Sequence, residues 1–171
     1  KQVTPIKDTE VIMDFLKYIH CPPPPNISTY SELVQYYWKE IVLKLGFSRA
    51  HTVTIIIDKE KYLPPIREII HEERSKATKT DSSILPDKIN NEDTIEFGTK
   101  FVTALQNASF KRKLIDYISL QFSQFAITLL KPNETLYLDT PTFDTSPLKI
   151  KNCQPSPCEL RNNNKGEADN C

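Results

Sequence analysis

The run Val53-Thr54-Ile55-Ile56-Ile57-Asp58 constrains this chain more than any other stretch. Branching at Cβ stiffens χ1 and suits a pleated strand better than a helix. A β-branched run with little polar alternation reads as a strand of a parallel sheet, buried on both faces. Val11-Ile12-Met13-Asp14 has the same design, and both runs end in a carboxylate. Between them Leu33, Val34, Tyr37, Trp38, Ile41, Val42 and Leu45 recur at three- and four-residue spacing, one apolar helical face. Ser28 or Thr29 is placed to cap that helix, and Gly46 is placed to end it. Two strands joined through a helix make a βαβ unit with a right-handed crossover. The expected fold is therefore α/β, a small parallel sheet flanked by helices.

The rest of the chain continues the alternation. Pro22-Pro23-Pro24-Pro25 reads as a stiff connector. After Asp58, Leu63-Pro64-Pro65 leads into a charged helix from Ile66 to about Lys79, and residues 80–91 read as a flexible loop. Helices are expected over Glu92–Gln106 and Ser109–Leu130, the second stopped by Pro132 and Asn133. Thr135–Asp139 is a short strand candidate and Leu148–Ile150 a weaker one. Residues 154–171 read as a polar tail. No internal repeat is present, and 171 residues suffice for a single domain with its own core.

Composition excludes several classes. The 22 basic and 22 acidic residues cancel, so no global field marks a nucleic-acid binder, although a local basic patch remains compatible with this. No apolar stretch is long enough to span a membrane, so no membrane partner is expected. The N-terminus lacks the form of a signal peptide, and the reading is an intracellular protein, nuclear or cytoplasmic. Cys21, Cys153, Cys158 and Cys171 show no Cys-x-x-Cys spacing and are read as reduced thiols, with a Cys153–Cys158 disulfide as the lesser alternative. Asn26, Asn107 and Asn133 head chance glycosylation sequons. Three glycines cannot build a phosphate-cradling loop, and His20, His51 and His71 have no triad or zinc spacing. Trp38, with Tyr36 and Tyr37, reads as core rather than as a base-stacking platform.

Candidate chemistry lies in the acids. Asp14 and Asp58 stand at strand ends, and Glu167 and Asp169 follow in Gly166-Glu167-Ala168-Asp169. Carboxyl ends of parallel strands face the crevice where ligands bind in open α/β sheets. Carboxylates gathered there suit a cation. Each also has a structural reading: a strand-ending turn for Asp14 and Asp58, a first helical turn for Glu167 and Asp169. Asp139 likewise ends a strand-like run, but Pro141 and Asp144 after it suggest a turn.

The order of these features resembles the flap-endonuclease branch of the PIN-like superfamily. It is most similar to uncharacterised PIN-like proteins found beside mobile elements in animal genomes. The matching segments are Ile56-Ile57-Asp58, then Pro65-Ile66-Arg67 and Glu73-Arg74-Ser75-Lys76, then Glu167-Ala168-Asp169. Where such proteins carry a small residue after the first acid, this chain has Phe15. The resemblance implies an N-terminal piece of a longer protein, ending as the helix bearing Glu167 and Asp169 begins. It implies metal-dependent hydrolysis of phosphodiesters in DNA or RNA. Asp14, Asp58, Glu167 and Asp169 would hold two Mg²⁺ or Mn²⁺ ions, with Asp14 and Asp58 catalytic. Arg67, Arg74 and Lys76 would contact phosphates. The alternative is a non-catalytic PIN-like scaffold or interaction domain, a decayed mobile-element relic.

Overall fold

The computed structural model describes residues 10–21, 23–57, 88–94, 99–143 and 146–158. They form a five-stranded mixed sheet in the order β1-β2-β3-β4-β5, with helices against it. The strands are β1 (Glu10–Asp14), β2 (Thr52–Ile56), β3 (Thr135–Asp139), β4 (Leu148–Lys151) and β5 (Gln154–Pro157). β1, β2 and β3 are parallel, whereas β3–β4 and β4–β5 pair antiparallel. The α/β expectation holds, but the sheet is mixed rather than parallel throughout.

Residues 154–157 of the expected polar tail are instead the edge strand of this sheet. Asn152 and Cys153, at φ 52° and 60°, turn β4 back into β5. Two positive φ values in a two-residue loop are the type I′ geometry whose twist matches a hairpin. Pro155 and Pro157 then occupy the outer strand, where a missing N–H blocks further pairing. A strand of prolines and serine has no apolar period, which explains why the sequence does not announce it.

Helix α1 is the short Leu16–Ile19. Helix α2 (Tyr30–Tyr36) continues without a break into a π-helical segment, Tyr37–Phe47. Thr29 caps α2: its hydroxyl accepts from Glu32 N–H at 3.2 Å while Glu32 Oε2 accepts from Thr29 N–H at 3.1 Å, a reciprocal capping box. Gly46 does not end the helix as expected but lies inside the π-helical segment. A Cβ placed there would sit 2.9 Å from both Met13 Cε and Val53 Cγ2. The glycine is thus a point of close approach between helix and sheet.

Helix α3 (Thr99–Ala104) starts later than the expected Glu92, because Asp93 accepts from Asn90 N–H at 2.9 Å in a turn and Thr94 bridges to Thr29. Helix α4 (Ala108–Leu129) is close to its expected span, with Asn107 Oδ1 accepting from Phe110 N–H at 3.0 Å as its cap.

Side chains alternate along each strand, and the two sheet faces differ. Met13, Val53, Ile55, Leu136, Leu138 and Ile150 are all buried on one face. Helix α4 brings Leu114, Ile118 and Phe122 to the same core, where Phe122 packs on Trp38 at 5.5 Å and on Phe15 at 5.2 Å between centroids. Trp38 and Tyr37 are therefore core residues, as read from the sequence. Strands advancing 1-2-3 without reversal put both right-handed crossovers on one face. On the other face Thr54 donates to Glu10 at 2.6 Å, Lys149 lies over the Tyr137 ring, and Ile12 on edge strand β1 is 60% exposed. Burial on both faces thus suits the interior strand β2, where Thr54 is also buried, but not β1.

Candidate functional site

The carboxyl ends of β1, β2 and β3 lie side by side. Asp14 pairs in register with Ile56, and Ile56 pairs in register with Asp139. Register partners in parallel strands point to the same side, so Asp14 and Asp139 flank Ile56 on the face opposite the main core. With one strand between them, their Cα atoms are roughly 10 Å apart. The backbone fixes this edge further. Phe15 N–H donates to the Ile56 carbonyl at 3.0 Å, and Ile57 N–H donates to the Asp139 carbonyl at 2.9 Å.

The two acids differ in setting. Asp14 is exposed on the edge strand, whereas Asp139 is 4% exposed on an interior strand. Beside Asp139, the Thr140 hydroxyl is buried without a hydrogen-bond partner. Oxygen donors of this kind are the hard ligands that Mg²⁺ and Mn²⁺ prefer. Among the described residues, no three His, Cys, Asp or Glu side chains gather as a metal-binding group. The strand order also lacks a reversal across β1, β2 and β3, so the crevice expected at a topological switch point does not form among these strands.

Asp14 is the one expected ligand within the described residues. Asp58, Glu167 and Asp169, and the expected phosphate contacts Arg67, Arg74 and Lys76, lie outside them, as do residues 80–87 of the expected loop. Asp139 is the acid that sequence reasoning set aside as a turn residue. The signal for it was present: a Leu-Tyr-Leu run closed by a carboxylate, the same design as the first two strands.

A second group was not anticipated. Arg112 on α4 donates from Nη2 to the Pro141 carbonyl at 2.9 Å and from Nε to Asp116 at 3.3 Å. Thr142 donates to the other Asp116 oxygen at 2.7 Å. These bonds tie the 3₁₀ turn Pro141–Phe143, just after Asp139, to α4. No local motif reveals them, because the partners are 26 and 29 residues apart.

His20, at the end of α1, has its basicity lowered, first by partial burial and then by the charge of Lys111. Burial also raises the pKa of Tyr30, to about 12, with Asp93 adding to the effect. Tyr37 shifts upward for the same reason, and its hydroxyl is buried without a hydrogen-bond partner. The thiols of Cys153 and Cys158 are free. With β5 extended between them, their Cα atoms stand roughly 15 Å apart, beyond the roughly 7 Å limit of a disulfide.

Compared with known proteins, the chain matches no family model, no curated protein and no solved structure. No described helix is long and apolar enough to cross a membrane.

Proposed function

We propose that this chain is a PIN-like domain carrying out metal-dependent hydrolysis of phosphodiesters in nucleic acid. The observation that supports the reading is the shared register of Asp14, Ile56 and Asp139 at the carboxyl edge. In this reading Asp14 and Asp139 bracket the site, and Asp58, next in sequence after Ile57, falls between them in chain order. Glu167 and Asp169 would complete the ligand set, and Arg67, Arg74 and Lys76 would hold phosphates. Bound Mg²⁺ or Mn²⁺ supplies water activation and neutralises charge on the phosphate oxygens. The protein's own part is to fix the acids: Asp14 by the ladder to β2, Asp139 by burial and by the turn anchored on Arg112.

One observation favours a non-catalytic scaffold instead. Phe15, directly after Asp14, is fully buried and packs edge-on against Tyr37 and Phe122. That exit from β1 is built for core packing, with no small residue to admit a substrate.

Calorimetry with Mn²⁺ on the wild-type chain, Asp14→Asn and Asp139→Asn decides between them. Micromolar-to-millimolar binding lost in both variants, with cleavage of an oligonucleotide that EDTA abolishes, supports the nuclease. A folded wild-type chain that binds no Mn²⁺ sinks it.

A further inference from the structure

Three Ser/Thr-Pro dipeptides lie among the described residues, and the fold treats them differently. Thr140-Pro141 and Ser146-Pro147 are closed: Thr140 is 1% exposed, and both prolines are buried. Pro147 is held further by the Cys158 N–H, which donates to its carbonyl at 2.8 Å. Ser156-Pro157 is open. Both residues are exposed on β5, the outer strand of the sheet. Their backbone is extended, and a cleft of about 440 Å³ runs beside them, lined in part by Phe143 and Leu148. The Ser156 hydroxyl makes one long bond, donating to the Lys149 carbonyl at 3.5 Å.

The ladder around that hydroxyl is basic. Ser156 pairs in register with Lys149, and Lys149 pairs with Tyr137 on β3. Register partners share a face, so Ser156 and Lys149 point to the side away from the main core. Lys151, two residues on and opposite Gln154, points there too. Cross-strand partners have Cβ atoms about 5 Å apart and diagonal ones about 7–8 Å. Both ammonium groups can therefore reach a group built on Ser156. Lys149 lies over the Tyr137 ring at 5.6 Å, and neither lysine is in an ion pair among the described residues. The ladder neighbours of Ser156 on this face are thus Lys149, Lys151 and Gln154, two cations and no acid.

We propose that Ser156 is a phosphorylation site for a proline-directed serine/threonine kinase, and that its phosphate clamps the β4–β5 hairpin through Lys149 and Lys151. The γ-phosphoryl group of ATP passes to Ser156 Oγ, the hydroxyl proton goes to the kinase's base, and ADP leaves. Such a kinase takes an extended segment with proline directly after the acceptor, and Pro157 supplies that residue with no N–H to satisfy. The product carries about two negative charges and three acceptor oxygens opposite two ammonium groups, the setting in which a phosphate orders a segment. The site does not rest on the proposed nuclease function.

The test treats the folded full chain with a proline-directed kinase and Mg-ATP and maps phosphate by mass spectrometry. Incorporation is expected at Ser156 and not at Thr140 or Ser146. Pro157→Ala, shown to be folded by circular dichroism, is expected to lose most of it. Phosphorus NMR then reads the clamp. The second ionisation of phosphoserine, ordinarily near pH about 6, is expected about 0.5 lower here. Lys149→Gln and Lys151→Gln are each expected to reverse part of that change, whereas Lys44→Gln, on the π-helical segment, leaves it as it is. Thermal unfolding of the phosphorylated chain is expected about 2–4 °C higher than that of the unmodified chain. Three results overturn the proposal: no phosphate at Ser156 in the folded chain, incorporation there only after unfolding, or a phosphate whose ionisation is ordinary and whose presence leaves Tm unchanged.

Discussion

Gly46→Ala tests how closely the π-helical segment meets the sheet. Helix propensity alone predicts a gain of about 1 kcal/mol, since alanine loses less backbone entropy than glycine. The packing predicts the opposite sign. The new methyl would meet Met13 Cε and Val53 Cγ2 at 2.9 Å and Val53 Cγ1 at 3.3 Å. Met13 Cε ends a flexible side chain and can swing away. Val53 cannot: it is β-branched, fully buried, and its strand is hydrogen-bonded on both sides by β1 and β3. The helix must therefore lift, and overpacking of this kind costs about 1–3 kcal/mol. Net destabilisation of about 1 kcal/mol is expected, a drop in Tm of about 2–4 °C for a chain of this size. Urea unfolding followed by circular dichroism gives the value. Val53→Ala removes both offending methyls, so the double variant should be less damaged than the sum of the singles by about 1 kcal/mol. Stabilisation by Gly46→Ala, or strict additivity with Val53→Ala, would refute the close approach.

Two further perturbations address the hairpin and the capping box. Cys153 holds φ 60° without being glycine, so Cys153→Gly should raise the urea midpoint, by about 0.5–1 kcal/mol of stability after glycine's extra unfolded-state entropy is subtracted; an unchanged or lower midpoint counts against the turn. Glu32 has its pKa held below the ordinary 4.5, first by the Ser28 N–H and hydroxyl and then by the Thr29 N–H. Its folded pKa is depressed, so its stabilisation is complete above pH 4.5 and is lost as pH falls through the folded value. Glu32→Gln should therefore flatten the acid limb of stability below that pH, and an acid limb of unaltered steepness would show that the box contributes nothing there.

What the sequence revealed follows the range of the forces involved. β2 was legible because a β-branched run needs no partner to declare itself, and α4 because 22 residues hold a helical period. The cap was narrowed to Ser28 or Thr29 because capping is settled within four residues, and Thr29 takes the role. The role of Gly46 was not, since the atoms that exclude a side chain there come from residues 13 and 53. β5 was hidden because its place is set by the Asn152–Cys153 turn and by β4, and its own residues have poor strand propensity. At Asp139 the strand end and the turn were both legible. Pro141 does form a turn, but one that begins after the strand has ended, so the turn signal and the strand-end carboxylate are both real.

The position of Asp139 bears on what the carboxyl edge can do. A carboxylate on an exposed edge strand, such as Asp14, is solvated and needs no explanation. A carboxylate 4% exposed on an interior strand needs a polar or charged partner, and Asp139 is not without one. The turn after it is secured by three side-chain bonds through Arg112, Asp116 and Thr142, so the strand end cannot readily shift to expose the acid. Ordinary strand termination would be served as well by a threonine or serine, at less desolvation cost. An acid in that position, in register with a second acid across β2, would suit the cation of the proposed metal site. Replacing Asp139 by asparagine keeps the shape and removes the charge, so the two explanations predict opposite results. If the acid is only a strand terminator, Asp139→Asn leaves stability equal or higher and Mn²⁺ binding unaltered. If it serves a cation, the variant folds as well as the wild type but loses the metal.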